Sequence, residues 1–200
     1  MIILNIMLDF NIKRFLFSTV GIVYVWSLPL LAYIGFAEKN SNSISAFISN
    51  PQATGAMAAV SFMPISLMWE YQDIYIKTYK SQWLERYILD RSIMLFHIFY
   101  GAFLTCSITY VPKWLHTTTV VIFCLSFIIH SAYINLYIEI NKITKIVLLI
   151  GCISFTLLSV VKGMWFWVFE CIGFTSMLLF TPLDWLLLIN KNRYVTPIDI

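Results

Sequence analysis

Charged residues are scarce in this chain of 200 residues: Lys, Arg, Asp and Glu together make up 12% of it, whereas hydrophobic residues make up 60%. An ordinary soluble domain contains about 25% charged and about 45–50% apolar residues. The net charge of +3 is small and scattered along the chain, so it gives no surface for a polyanion. The composition therefore excludes a soluble globular enzyme, a disordered chain and a nucleic-acid-binding arm, and we expect no nucleic-acid partner.

The sequence also lacks the local patterns of familiar catalytic and metal sites. It contains no GxSxG nucleophile elbow and no cysteine directly beside a histidine. It contains no HExxH, no P-loop and no Rossmann fingerprint. The four cysteines fall in apolar stretches without a CxxC pair, so we expect buried thiols, no disulfide and no metal or other cofactor.

Long runs without charge are the dominant feature of the sequence. A membrane-spanning helix needs about 20 mostly apolar residues, and backbone groups in lipid must be satisfied within a helix or a closed barrel. The runs are too uniformly apolar for barrel strands, in which polarity alternates. The sequence therefore predicts an all-α polytopic membrane protein, a single domain over 1–200 built as a six-transmembrane-helix bundle, with spans at about 15–37, 53–70, 92–111, 117–137, 144–161 and 164–189.

The distribution of Lys and Arg predicts how the bundle is oriented. If the N-terminus is cytoplasmic, ten of the thirteen Lys and Arg residues lie on the cytoplasmic side, and only Lys39, Lys113 and Lys162 lie on the outer side. Cytoplasmic loops carry the excess of positive residues in most membrane proteins. We therefore expect both termini to be cytoplasmic.

Two polar segments lie between the expected spans. Turn and capping residues dominate 40–55, which predicts a loop with a short re-entrant or surface segment that ends at Pro51. Residues 70–91 carry mixed charges, with aromatic residues and Ile at helical spacing. They are expected to form either a cytoplasmic surface helix or a solvated linker with interfacial aromatic residues.

Ionisable residues inside a membrane span are costly and are therefore candidate functional residues. Here they are His97, His130, Glu170 and Asp184, together with His116 at the outer end of the fourth span. The two residues of each pair, His116 with His130 and Glu170 with Asp184, are 14 positions apart and share a helix face to within about 40°. Because the fourth and sixth spans run in the same direction, they predict two polar layers, separated by about 20 Å.

The two-layer arrangement excludes a single metal ion bound by both outer and inner histidines. Each layer can instead pair a carboxylate with an imidazole, which reduces the cost of desolvation. Ser126 lies near the histidine stripe and Thr181 lies on the acidic stripe. Two interpretations stay open: a polar cleft that opens to the outer side, or buried pairs and interfacial side chains that hold helices together. His97 has no partner at this spacing, so we expect a packing or interhelical hydrogen-bonding role.

Several fragments occur in an order that resembles a known family. They are 43–52 (SISAFISNPQ), the proline and aromatic residues at 63–75, the stretch 108–130 with His116, Ser126 and His130, and the last span with Glu170, Thr175, Met177 and Asp184. Together they resemble the Frag/DRAM/Sfk family of six-span membrane proteins, most of all its branch that acts in GPI-anchor lipid remodelling in the Golgi.

The resemblance implies fatty-acid reacylation of lyso-GPI in the secretory pathway, with this chain as the enzyme or as a required cofactor. It implies an integral membrane protein of the Golgi or endoplasmic reticulum whose partner is a membrane lipid or GPI-anchor lipid with a lumenal head group. His116 is then a catalytic residue, as general base, or a phosphate contact, and Glu170 orients it. The remaining polar residues of the two stripes are then structural or contact the substrate: His130, Asp184, Ser126 and Thr181.

Two other functions stay open. The same family contains non-enzymatic regulators of autophagy or lipid signalling, which would place the chain in the lysosome or plasma membrane. That function predicts protein partners through the cytoplasmic segment 71–91 and tolerance of change at the intramembrane His and acidic residues. A small transporter would need a continuous polar path and repeat-related broken helices. Because the sequence shows no inverted repeat, the transporter ranks last.

Overall fold

Residues 2–39, 41–78, 83–108, 111–138 and 140–189 are described by the structure, a computed structural model, and they form helices joined by short connections with no strand among them. The helices are α1 (Ile2–Tyr33), α2 (Ile44–Phe47), α3 (Pro51–Thr78), α4 (Trp83–Ile108), α5 (Lys113–Tyr137), α6 (Lys142–Leu157) and α7 (Met164–Ile189). The expected all-α class is therefore confirmed for these residues. Each predicted span overlaps one of the six long helices, but the spans at 15–37 and 144–161 extend past Tyr33 and Leu157, where α1 and α6 end, and 109–110 of the span at 92–111 lie outside the described residues.

Four helical segments in the described part of the chain are long and apolar enough to cross a membrane, which indicates an integral membrane protein. They are Ile12–Tyr33, Arg86–Ser107, Lys113–Tyr137 and Met164–Asp184. Helix α6 is outside this set because its 16 residues extend about 24 Å, less than the ~30 Å of a hydrocarbon core.

The polar segment 70–91 belongs mostly to the two helices that flank it. Helix α3 continues to Thr78 and α4 begins at Trp83, while 79–82 lie outside the described residues. The described parts of the segment are therefore helical, as the surface-helix alternative predicts, but they belong to α3 and α4 and not to a helix of their own. The expected spans end at charged residues, yet a helix can continue past the apolar layer into water with its backbone hydrogen bonds intact.

Helix α7 packs against α1, α3 and α6, while α5 packs between α4 and α6. Short connections make such neighbouring helices antiparallel. Helix α2 contacts α1, α4 and α7 at the end of the bundle where α1 finishes and α3 begins. We call this end the α2 end; α5 and α7 also begin there.

A cluster of aromatic rings from four helices forms the centre of the core. Ring centroids of its contacting pairs lie 5.2–6.3 Å apart. Such edge-to-face and offset contacts add to the packing of buried rings. The cluster joins α5 to α7 directly, since the rings of Phe123 and Phe174 lie 5.7 Å apart. Its members are Phe96, Tyr100, Phe103, Phe123, Phe127, Phe155 and Phe174.

Two glycines allow α6 and α7 to approach closely. A Cβ atom on Gly173 would lie 2.4 Å from Cε1 of Phe155, and one on Gly151 would lie 2.7 Å from Cβ of Ser176. Small residues at helix contacts let backbones come together where lipid provides no hydrophobic driving force. Gly173 is therefore needed to seat the Phe155 ring in the aromatic cluster.

A proline in α1 leaves one backbone carbonyl of that helix without its helical donor, and a side chain of α7 donates to it instead. Pro29 has no N–H, so the carbonyl of Val25, four residues earlier, has no helical donor. The Cys171 Sγ of α7 donates to this carbonyl at 3.9 Å. Nearby, Trp26 Nε1 donates to Thr175 Oγ1 at 3.0 Å. Both contacts fix α1 against α7 without water, as the membrane interior requires.

Gly173→Ala is expected to destabilise the bundle, because its new methyl group would overlap the Phe155 ring. Overpacking of this kind costs about 1–3 kcal/mol. Thermal unfolding of the detergent-solubilised protein measures the effect. The matched control is Gly101→Ala, where a new Cβ meets no atom within 4 Å. Equal melting temperatures for both variants would contradict this packing.

Candidate functional site

The segment after α1 folds into a short capped helix at the α2 end. The Ser43 side chain accepts a hydrogen bond from the backbone N–H of Ala46 at 3.2 Å, and this is the usual role of serine at a helix start. Ile44 and Phe47 are buried, while Pro51 begins α3. The expected short segment that ends at this proline is therefore present as α2.

Polar side chains tie the end of α2 to the start of α3. Asn50 Nδ2 donates to the carbonyl of Phe36 at 3.1 Å, and Asn50 Oδ1 accepts from the N–H of Ala53 at 2.8 Å. Thr54 Oγ1 donates to the carbonyl of Ile48. These bonds satisfy backbone groups that leave regular helices, so α2 has a defined position on the bundle.

Glu170 of α7 is the side chain that holds the start of α2. It is only 4% exposed, and its Oε2 accepts a hydrogen bond from the backbone N–H of Ile44 at 2.5 Å. The first N–H groups of a helix have no partner within that helix. A carboxylate is a strong acceptor for such a group. Glu170 therefore attaches α2 to α7.

Asp184 has the same role at the other end of α7. Its Oδ1 accepts a hydrogen bond from the backbone N–H of Asn141 at 3.0 Å. Asn141 is the N-cap of α6, and its own Oδ1 accepts from the N–H of Ile143 at 2.9 Å. The two acidic residues of α7, 14 positions apart, thus each anchor the backbone at the start of another helix.

The structure does not contain the imidazole–carboxylate pairs predicted from the spacing. Neither His116 nor His130 forms a hydrogen bond or ion pair with Glu170 or Asp184 among the described residues. His130 Nδ1 lies 3.1 Å from Ser92 Oγ of α4 instead. The two polar levels are present, but the pairing was wrong because each carboxylate bonds a backbone N–H.

His97 makes the interhelical hydrogen bond expected from the sequence. Its Nε2 lies 3.1 Å from the carbonyl oxygen of Ile65 in α3, and its Nδ1 lies 2.8 Å from that of Ile93. The ring also packs edge-on against Trp69, with centroids 4.7 Å apart. His97 therefore joins α3 to α4.

An open cleft of about 280 Å³ lies at the α2 end, between α2, α4 and the start of α5. His116, partly buried at the first turn of α5, lies in this cleft, with its ring centroid 6.3 Å from that of Phe103. The cleft is lined by Ser45, Ala46, Cys106, Ser107, Val111, Lys113 and His116.

Sequence reasoning placed His116 and the 43–52 loop at this level and missed the other side chains of the cleft. In the sequence alone, Lys113 bears only on the orientation of the bundle, and the thiol of Cys106, expected to be buried, is only partly buried. The described lining contains cationic and hydroxyl groups but no carboxylate. Its chemistry suits an anionic or hydroxylated ligand.

The four predicted substrate contacts lie outside the cleft. His130, Asp184, Ser126 and Thr181 are all at most 4% exposed, and Ser126 Oγ donates within its own helix to the carbonyl of Ile122 at 2.7 Å. Thr181 borders a narrow gap beside Arg14, Leu67 and Pro182. Their contact with a substrate stays a prediction.

Removing the Glu170 carboxylate is expected to loosen α2. In Glu170→Ala the N–H of Ile44 loses its acceptor, and an unsatisfied buried group costs about 1–3 kcal/mol. Glu170→Gln retains one acceptor oxygen, so we expect a smaller effect. Hydrogen–deuterium exchange of the peptide that contains Ile44–Phe47 measures the change.

The control for this measurement is Glu38→Gln, because Glu38 is exposed and lies in the same connection. Its exchange in Ile44–Phe47 should match that of the unchanged protein. Unchanged exchange in Glu170→Ala would show that α2 is held by its other contacts.

No protein-family model, curated protein or solved structure matches this chain.

Proposed function

We propose that this chain is a six-span membrane protein of GPI-anchor lipid remodelling, which acts in the fatty-acid reacylation of lyso-GPI as the enzyme or as a required cofactor. The observation that carries the proposal is the open cleft at the α2 end, where His116 lies beside cationic and hydroxyl groups. The resemblance to the Frag/DRAM/Sfk family supplies the reaction class. The Golgi or endoplasmic reticulum is the compartment that fits this function.

The charge distribution supports a lumenal position for the cleft. Lys39, Lys113 and Lys162 are the three Lys or Arg residues at the α2 end, and the poorly charged side of a membrane protein faces away from the cytoplasm. With α3 and α6 as the second and fifth spans, both termini are cytoplasmic. The head group of a GPI anchor faces the lumen, so it meets the cleft in this orientation.

The size of the cleft favours a head group over a whole lipid. Its volume of about 280 Å³ is at the low end of the ~300–1,000 Å³ usual for small-molecule pockets. The acyl chains would then lie along the apolar outer faces of the helices. Val121 and Leu125 on α5 are exposed on one such face.

His116 and Glu170 have different roles in this proposal. His116 reaches the ligand directly, as a general base or a phosphate contact. Glu170 acts through the backbone of Ile44, since it fixes α2, whose Ser45 and Ala46 form one wall of the cleft. Glu170 is therefore a positioning residue and not a direct partner of the imidazole.

A regulatory function is the second candidate, and the end opposite α2 carries the observation that favours it. Trp83 and Tyr87 of α4 are exposed, with ring centroids 6.1 Å apart. The guanidinium carbon of Arg91 lies 5.2 Å from the centroid of the Tyr87 ring. An exposed stripe of aromatic and Arg side chains suits a protein partner.

Complementation of cells that lack the Golgi GPI-remodelling factor tests the proposed function. The unchanged chain is expected to restore surface GPI-anchored protein and its saturated acyl chains. His116→Ala should abolish rescue, and Glu170→Ala should weaken it, because one removes a ligand-contacting group and the other displaces a wall of the cleft.

Two controls complete the experiment. Lys162→Ala changes an exposed residue at the same end but outside the cleft, and it should rescue fully. The double variant Trp83→Ala, Tyr87→Ala should also rescue. If the unchanged chain reaches the Golgi without rescue, or if His116→Ala rescues fully, the remodelling role is refuted. Loss of rescue only in the double variant would favour the regulator.

A further inference from the structure

The cleft at the α2 end offers unoccupied hydrogen-bond donors. The Ser107 hydroxyl already donates to the carbonyl of Phe103 at 2.8 Å, and Ser45 Oγ lies 3.2 Å from Ser43 Oγ. In contrast, neither ring nitrogen of the partly buried His116 has a hydrogen-bond partner in the described part of the chain. Lys113 is exposed at the rim. The lysine and the imidazole are therefore the groups available to a ligand.

These two groups are neighbours on one turn of α5. Residues three apart on a helix have Cβ atoms about 5–6 Å from each other, so one small ligand can reach both side chains. Lys113 is the first residue of this 25-residue helix, and its N-cap, Pro112, supplies no side-chain hydrogen bond to the helix end. The N–H groups of Leu115 and His116 donate to the carbonyl of Pro112, and the positive end of the helix dipole adds to the charge of Lys113.

No acidic side chain among the described residues of the lining opposes this positive charge. An ammonium group, an imidazole N–H and the positive end of a helix together match an oxyanion such as phosphate. A neutral hydroxyl ligand would bring no negative charge to the Lys113 ammonium. The donor set thus favours a tetrahedral phosphate group over a neutral head group.

The level of the cleft across the membrane indicates the source of the phosphate. Trp114, beside Lys113, is 68% exposed, and Trp165 at the start of α7 is 62% exposed. Exposed tryptophans mark the head-group level of a membrane. A group bound at Lys113 and His116 would therefore lie at the depth of lipid phosphates, next to the outer leaflet.

We propose that Lys113, His116 and the N-terminus of α5 form a binding site for the phosphodiester of a membrane lipid. This deepens the proposed function, on which the choice of a lipid as the source rests, by naming the part of the substrate that the cleft holds. Cys106 is partly buried in the same cleft, so its thiol would be shielded by a bound head group.

Thiol labelling of Cys106 tests the site directly. In the full-length Cys152→Ala protein, Cys106 is the one partly buried thiol, since Cys124 and Cys171 are buried. The protein is prepared in a phosphate-free detergent, and the rate of maleimide labelling is measured with phosphatidylglycerol, with diacylglycerol of the same acyl chains, or with inorganic phosphate. Phosphatidylglycerol at ten times its dissociation constant should slow labelling about tenfold.

The variants test whether Lys113 and His116 are responsible for the slower labelling of Cys106 in the presence of the lipid. Lys113→Gln and His116→Gln should each weaken it, and together they should abolish it, whereas Lys162→Gln should leave it unchanged. Each variant is first shown to melt like the parent, so a folding defect is recognised separately. Equal protection by diacylglycerol, or full protection in the Lys113→Gln, His116→Gln double variant, would overturn the phosphate site.

The different ligands distinguish a lipid phosphate from free phosphate. Together with the complementation assay, they also distinguish the phosphate site from the remodelling role. Protection by phosphatidylglycerol without protection by inorganic phosphate at equal concentration supports a lipid head group. Equal protection by inorganic phosphate overturns the lipid assignment and identifies free phosphate as the source. Protection without rescue in the complementation assay would leave the phosphate site standing and refute only the remodelling role.

Discussion

A backbone N–H that is buried inside a membrane bundle has no water to bind, so it needs an acceptor from the protein. Helix α7 provides this acceptor twice, through Glu170 at Ile44 N and through Asp184 at Asn141 N. The first of these bonds fixes α2, and α2 is one wall of the cleft. The geometry of the candidate site therefore depends on a hydrogen bond made by a residue that does not line it.

Packing against the rest of the bundle fixes the position of α7, and therefore the position of the Glu170 side chain. Of the four described segments that are long and apolar enough to cross a membrane, the one in α7 is the most buried, at 56% against 28% for the one in α1. Gly173 and the Phe155 ring set its distance from α6, while the aromatic cluster connects it to α4 and α5. His116 belongs to the same framework through Phe103. Packing in the core and the shape of the cleft are thus coupled through shared side chains.

The sequence could predict the positions of the long helices because lipid allows few alternatives for an apolar chain. It also indicated the break at Pro51 and the two polar levels, since both follow from local residue types and helical spacing. It could not predict the partners of Glu170 and Asp184, because every residue except proline has a backbone N–H and composition does not mark the one that is left without an acceptor. Nor could it assemble the cleft, because α2, which supplies Ser45 and Ala46, is distant in the chain from the end of α4 and the start of α5, which supply the rest of the lining. Lys113 and Cys106 line a cleft only because the fold places α2 opposite them.

A structure determined in lipid nanodiscs that contain phosphatidylglycerol would test the central claim most directly, because it shows the α2 anchor and the content of the cleft together. The account predicts that Glu170 lies within hydrogen-bond distance of Ile44 N and that a lipid phosphate lies between Lys113 and His116. An α2 segment detached from Glu170, or a cleft filled by an acyl chain with all lipid phosphates elsewhere, would contradict it.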